Sequence, residues 1–149
     1  YLVAADENGQ LLGYAYTHTF IAREAYDHCA ESTIYLALDA RKHGLGKRFY
    51  RAIEELSLAQ NIYNLYACIG EPQGADDEYL TDNSICFHEH MGFRRIGVFT
   101  RSGYKFGRWY NMSWAEKLLM EHPAHPDPVI PFPQLDKTFV ADILRRAAE

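Results

Sequence analysis

Apolar positions recur first at a period of two, then at helical spacing, then at a period of two again. Tyr1 to Asp6 is a short apolar run, and Leu11 to Phe20 is rich in Tyr, Thr and Phe, a composition that suits strands. Between them stands Glu7-Asn8-Gly9-Gln10, where Asn-Gly offers the two positive-φ residues of a tight hairpin turn. Ile21 to Cys29 is polar and irregular and reads as a loop or short helix. Alternation returns from Ala30 to Leu38, with Ser32, Ile34, Leu36 and Leu38 on one face. Glu31, Thr33 and Tyr35 fall on the other. Leu45, Phe49, Ala52, Ile53, Leu56 and Ala59 then recur at helical spacing. Lys47, Arg48, Arg51, Glu54 and Glu55 lie opposite, as on an amphipathic helix.

Leu65 to Gly70 reads as a short buried strand, and Glu71 to Glu78 as an acidic loop. Thr81 or Asp82 is placed to cap a helix running to Met91, with Gly92 ending it in the left-handed conformation. Phe93 to Arg101 and Phe106 to Trp114 read as two strands, the second with Tyr110, Met112 and Trp114 on one face. Beyond Lys117 the character changes. Glu121 to Pro133 is Pro- and His-rich and suits an extended surface path, and Thr138 to Ala148 suits a final short helix. The order β-β-β-α-β-α-β-β predicts an α/β (α+β) fold with a mixed sheet and helices packed against it. We divide the chain into a core, residues 1–116, and a C-terminal extension, residues 117–149.

Composition narrows the function classes. The chain has 149 residues, 48% hydrophobic and 23% charged, enough for one compact core and unlike a disordered chain. A net charge of −5 argues against a general nucleic-acid binder, though a local basic cluster remains able to hold a small anion. No apolar run approaches a bilayer-spanning length, so no membrane partner is expected. Cys29, Cys68 and Cys86 are odd in number without C-x-x-C spacing. They read as reduced thiols of a cytoplasmic protein rather than a disulfide or zinc set, and no metal site is expected.

The most informative segment is strand, then Arg41-Lys42-His43-Gly44-Leu45-Gly46, then helix. The first N–H groups of a helix lack intrahelical partners and carry partial positive charge, so a loop around them forms an anion site. Glycine lets a phosphate approach the backbone, and Arg41, Lys42 and Lys47 add charge. The alternative reading is a plain β-α turn whose glycines ease packing. Two other phosphate motifs fail. Gly44, Gly46, Lys47 and Arg48 do not make a P-loop, and Phe49 stands where a dinucleotide fingerprint needs its third glycine.

R-x-x-G-x-G at this place resembles the acyl-CoA pyrophosphate motif of GNAT acetyltransferases. The chain is similar to the phosphinothricin branch at Ala22-Arg23, Ala25-Tyr26-Asp27 and Ala30-Glu31-Ser32-Thr33-Ile34-Tyr35. The likeness continues at Gly44-Leu45-Gly46, His88-Glu89, Gly92-Phe93 and Gly103-Tyr104-Lys105-Phe106-Gly107-Arg108-Trp109. It implies the GNAT fold, a mostly antiparallel sheet flanked by helices, with acetyl-CoA as cofactor. Such domains usually begin with a strand and two helices that have no counterpart before Tyr1. The resemblance implies that they exist in a parent protein or are replaced by a partner.

The resemblance also implies roles for residues. Acetyl transfer to an amine needs a general base, because an alkyl amine is mostly protonated at neutral pH. Glu31 matches the family's base; the residue alone could equally be a solvated carboxylate at a strand end. His88 matches the branch's histidine and could orient Glu31, relay the amine proton or protonate the leaving thiolate. Backbone groups at Tyr35, Leu36 and Ala37 match the positions that face the thioester and pantetheine arm, where a strand bulge is expected. Arg41, Lys42, His43, Gly44, Leu45, Gly46 and Lys47 form the pyrophosphate loop. The family's cofactor-contacting Asn is Thr81 here, and Asn83 lies close but out of register.

Arg23 and Tyr26 match positions near an amino-acid substrate, and Lys105 and Trp109 are candidates to line the same pocket. Ile21 stands where phosphinothricin enzymes can carry Lys, and the acidic loop is longer than usual. The expected activity is acetyl-CoA-dependent N-acetylation of the primary amine of a small amino acid or analogue by a cytoplasmic homodimer. The alternatives are a polyamine or protein N-terminus as acceptor, or a non-catalytic CoA-binding or dimerisation module. The proline-containing segment Val129–Pro133 is expected to lie across the protein's own sheet or a second subunit.

Overall fold

The computed structural model describes residues 1–41, 43–74 and 78–149. It is a mixed α/β fold that divides into two compact units, Tyr1–Leu65 with Leu119–Glu149, and Tyr66–Leu118.

In the first unit, β1 (Leu2–Ala5), β2 (Leu11–Thr19) and β3 (Cys29–Leu36) lie side by side, each antiparallel to its neighbour. The β1–β2 turn corrects the expected geometry. Gly9 is left-handed at φ 80 but Asn8 is not. Asp6 Oδ1 instead accepts the N–H groups of Asn8 and Gln10, both at 2.8 Å. An aspartate that ties its own backbone down needs only one positive-φ residue to close the turn. Helix α1 (Leu45–Ala59) packs Phe49, Tyr50, Ala52, Ile53 and Leu56 inward and contacts β2 and β3. Burial of Gly46, Tyr50 and Ser57 widens the apolar stripe beyond the expected set.

The C-terminal segment belongs to this unit. Helix α3 (Lys137–Ala148) is N-capped by Asp136, whose Oδ1 accepts the Phe139 N–H at 2.8 Å. Its Ile143 and Ala147 form a buried cluster with Ala52 and Leu56 of α1, bordered by Leu2, Leu135 and Val140. The stretch before α3 is irregular, with a 3-10 turn at Phe132–Gln134 that its proline permits. It is held by the Ile130 N–H on the Gln60 carbonyl at 3.1 Å and by Asn61 Nδ2 on the Pro128 carbonyl at 2.9 Å. His122 Nε2 donates to Asn64 Oδ1 at 2.6 Å. The tail therefore lies on its own chain.

Strand β4 (Asn64–Glu71) belongs to the second unit from Tyr66 onward. Helix α2 (Asn83–His90) follows, then β5 (Arg94–Lys105) and β6 (Arg108–Leu118), in the sheet order β4-β6-β5. The two-residue turn with both central residues at positive φ occurs here, at Phe106 (φ 55) and Gly107 (φ 75), closing the antiparallel β5–β6 hairpin. That is the backbone twist a tight hairpin prefers. In β6 Tyr110, Met112 and Trp114 share one face, and the fully buried Ser113 and Ala115 alternate with them on the other.

Candidate functional site

The strand-to-helix connection in the first unit has the features of an anion loop. Gly44 is the N-cap of α1 at φ 78, and it brings no side chain to cap the helix. The first intrahelical bond is Arg48 N–H to the Gly44 carbonyl at 3.1 Å. Helix geometry thus leaves the N–H groups of Leu45, Gly46 and Lys47 without intrahelical acceptors, and no acidic residue occupies the first turn to compete with an anion. Beside this terminus is a cleft of about 240 Å³ lined by Leu12, Asp39, Ala40, His43, Leu45 and Arg48. Arg41, His43 and Lys47 are exposed around it, whereas Gly46 is buried at the helix base. Lys42 lies outside the described residues. Arg48 is the residue that motif reading missed. It lies one helical turn after Gly44, so it was legible as a second cation on the same end.

Glycine at position 44 answers a backbone need. A Cβ there would meet nothing within 4 Å, yet φ 78 is a conformation that side chains disfavour. The loop is shaped by torsion rather than by crowding.

Strand β3 presents its functional groups by alternation. Its pairing with β2 runs unbroken from Gly13↔Leu36 to Thr19↔Ala30. The Ala37 N–H donates to the Leu12 carbonyl at 2.9 Å, and the Ala37 carbonyl accepts the Ala40 N–H at 3.1 Å. The Ala37 amide is therefore already engaged with β2. Antiparallel alternation then turns the Leu36 N–H toward the opposite edge. The Tyr35 ring lies tilted at 5.3 Å from that of Tyr14, its cross-strand partner, and is mostly exposed.

Glu31 sits opposite His18 in the β2–β3 register. Glu31 Oε2 is 3.6 Å from His18 Nε2, with the carboxylate side chain 19% exposed and the imidazole 47% exposed. His18 was not legible from spacing, because only strand register brings it to Glu31. The adjacent Ser32 turns inward, and its Oγ lies 3.2 Å from the Tyr50 hydroxyl of α1. Arg23 and Tyr26 are exposed on the β2–β3 connection, where Glu24–Tyr26 forms a single 3-10 turn and the Tyr26 N–H donates to the Arg23 carbonyl.

In the second unit, His88 is buried near the end of α2 at 8% exposure. Its Nδ1–H donates to the Ser84 carbonyl at 2.7 Å, which assigns the acceptor lone pair of the neutral ring to Nε2. The ring meets Phe93 edge-on at 5.3 Å. Burial pushes the His88 pKa below the ordinary histidine value, against a smaller opposing effect of the Ser84 bond. Thr81 Oγ1 accepts the Asn83 N–H at 3.3 Å, just before α2, whose N-cap is Asp82. Asn83 is exposed as the first residue of that helix.

Lys105 and Trp109 flank the β5–β6 turn. Trp109 is 53% exposed against Tyr104 at 5.0 Å, and Lys105 Nζ lies 4.8 Å from the Phe106 ring centre. The tryptophan is thus a surface residue and no part of a core. Among the described residues no three His, Cys, Asp or Glu side chains converge as a metal site, and no helix is long and apolar enough to cross a membrane.

Comparison with known proteins places these features. Residues 1–114 match the family model of the acetyltransferase (GNAT) domain. The chain is 33% identical over 118 residues to the phosphinothricin N-acetyltransferase of Streptomyces coelicolor, covering 78% of this chain and 64% of that protein. It is 31% identical over 115 residues to the L-methionine sulfoximine/L-methionine sulfone acetyltransferase of Pseudomonas aeruginosa, covering 77% and 62%. Among solved structures, a GNAT superfamily phosphinothricin acetyltransferase from Sinorhizobium meliloti in complex with AcCoA superposes with a TM-score of 0.73 at 32% identity. That match covers 87% of this chain and 67% of that one. The chain spans somewhat under two thirds of the length of these two curated relatives, and within that span it belongs to the GNAT acetyltransferase domain family.

Proposed function

We propose that this chain is the acetyl-CoA-binding part of an N-acetyltransferase whose acceptor is the primary amine of a small amino acid or amino-acid analogue. The observation that carries the reading is the uncapped N-terminus of α1, with Gly44 at φ 78 beside the cleft lined by His43 and Arg48. Acetyl-CoA supplies the activated acetyl thioester. Its pyrophosphate fits the N–H groups of Leu45, Gly46 and Lys47, with Arg41, His43 and Arg48 balancing its charge. Leu36 offers its N–H on the side away from β2, and Tyr35 flanks it.

Glu31 is the proposed general base. It is half-buried on a strand tied to the cofactor helix through Ser32 and Tyr50, which holds the carboxylate at a set place along the sheet. His88 keeps the roles the sequence left open, orienting Glu31, relaying the amine proton or protonating the leaving thiolate, with its ring anchored through Nδ1 on the Ser84 carbonyl. Arg23 and Tyr26, with Lys105 and Trp109, are proposed to contact the acceptor, the guanidinium holding its carboxylate. The relatives named for phosphinothricin and methionine sulfoximine support an α-amino acid scaffold. A cytoplasmic homodimer, with residues 1–116 as core and 117–149 as extension, completes the proposal.

Release of CoA thiol, followed across amino acids, phosphinothricin, methionine sulfoximine, polyamines and peptides, tests the reading. Turnover confined to the amino-acid group supports it. Turnover with polyamines or peptides alone moves the acceptor class, and binding of acetyl-CoA without any turnover leaves a binding module.

A further inference from the structure

We infer that His18 is the proton outlet of Glu31, a positioning and relay residue that accepts the amine proton from the carboxylate and delivers it to solvent. The inference rests on the reading of Glu31 as the base. His18 Nδ1 donates to the Thr19 carbonyl at 3.0 Å, so the neutral ring turns its Nε2 lone pair outward. That atom faces Glu31 Oε2 at 3.6 Å across the paired strands. A lone pair on each of two facing atoms lets a proton that arrives on Glu31 pass to the imidazole.

The distance is a few tenths of an ångström beyond hydrogen-bond range, which a small rotation of the exposed imidazole closes. Accessibility gives the direction. The Glu31 side chain is 19% exposed and the His18 side chain 47%, so the carboxylate receives and the imidazole releases. The other titratable group seen against the ring is Tyr16, at 6.0 Å between centres, with Tyr1 stacked on Tyr16 at 4.6 Å.

The step balances. The ammonium N–H bond breaks and its proton joins Glu31, leaving the amine lone pair free. The carboxyl proton passes to His18 Nε2 and then to water, which restores both groups for the next turnover. The Nδ1–H bond to Thr19 persists throughout and keeps the ring oriented.

The test compares His18→Ala, His18→Gln, Glu31→Gln and the double variant His18→Gln/Glu31→Gln, with kcat, KM and acetyl-CoA affinity measured for each. Both His18 variants should lose roughly tenfold in kcat with acetyl-CoA affinity retained. Added imidazole should restore His18→Ala with saturation, in proportion to its free-base concentration, as a purely structural loss would not. The double variant should be no slower than Glu31→Gln, because the two groups act in series. A His18→Gln protein with the parent kcat overturns the relay, and so does a His18→Ala loss that imidazole leaves untouched. Glu31→Gln with full activity removes the base reading itself. A slow Glu31→Gln beside a fully active His18→Gln removes only the outlet.

Discussion

The hydroxyl of Tyr50 lies 3.2 Å from Ser32 Oγ, and both side chains are buried between α1 and β3. This contact joins the helix that begins at the glycine loop to the strand that carries Glu31. A displacement of either element is therefore felt at both parts of the site.

Tyr50→Phe removes that link without removing volume. The expected loss is about 1 kcal/mol, or a Tm lower by roughly 3 °C for a chain of this size. Burial pushes the Tyr50 phenol above its ordinary value. Stability is then fully present below the unfolded tyrosine value of about 10 and declines as pH rises past it. Thermal denaturation at neutral pH and above about pH 10 checks both parts. A phenylalanine variant matching the parent at both would show the hydroxyl to be idle.

Gly44→Ala meets no steric obstacle, so its effect comes from torsion alone. We expect about 1 kcal/mol of destabilisation and weaker acetyl-CoA binding, because relaxing φ re-aims the N–H groups. Arg48→Ala should leave stability intact and weaken the same binding by roughly tenfold. Calorimetry with acetyl-CoA settles the pair, and undiminished affinity in both would remove the loop as the cofactor site.

Glu31→Gln is expected to keep acetyl-CoA affinity while lowering kcat/KM by roughly 10²–10⁴-fold. The deficit should shrink at high pH, where more of the acceptor amine is already neutral. Steady-state kinetics across pH is the measurement. An equal loss at every pH would assign Glu31 to substrate binding or folding instead.

His88 gives an acid-side prediction. Its folded pKa is lowered by burial, so the unfolded chain binds the proton more readily. The contribution is fully present above the unfolded histidine value of about 6.5 and is lost as pH falls through the lower folded value. Urea unfolding at successive pH values should show stability dropping below about pH 6.5, and His88→Gln should flatten that slope. An unaltered slope would place the acid sensitivity elsewhere.

Ile143→Ala tests whether the C-terminal helix is part of the fold. Ile143 is fully buried against Ala52 and Leu56, so the change should cost about 2–4 kcal/mol. A shift in the denaturation midpoint measures it. No shift would mean that α3 is a passive appendage.

Most of the architecture was legible because it follows from local periodicity. The strands around Leu11–Thr19 and Cys29–Leu36, the helix at Leu45–Ala59 and the left-handed stop at Gly92 (φ 88) come from alternation, helical spacing and turn chemistry. The glycine loop was legible for the same reason, since a capping glycine acts on its nearest neighbours. The turn at Asn8-Gly9 was misjudged because Asp6 supplies hydrogen bonds that dipeptide preference does not include.

By itself the sequence determined the order of elements, the glycine loop at Gly44 and the presence of Glu31 and His88 as chemically able groups. Each of these depends on residues close together in the chain. Tertiary structure alone decided that His18 faces Glu31, that the Ala37 amide is taken by Leu12, and that Ile143 closes over α1. It also decided that His88 is buried, which pushes its pKa below the ordinary histidine value. The reason is physical. Strand register and burial arise from contacts between residues far apart in sequence, and a carboxylate or imidazole takes its proton affinity and its partners from those contacts.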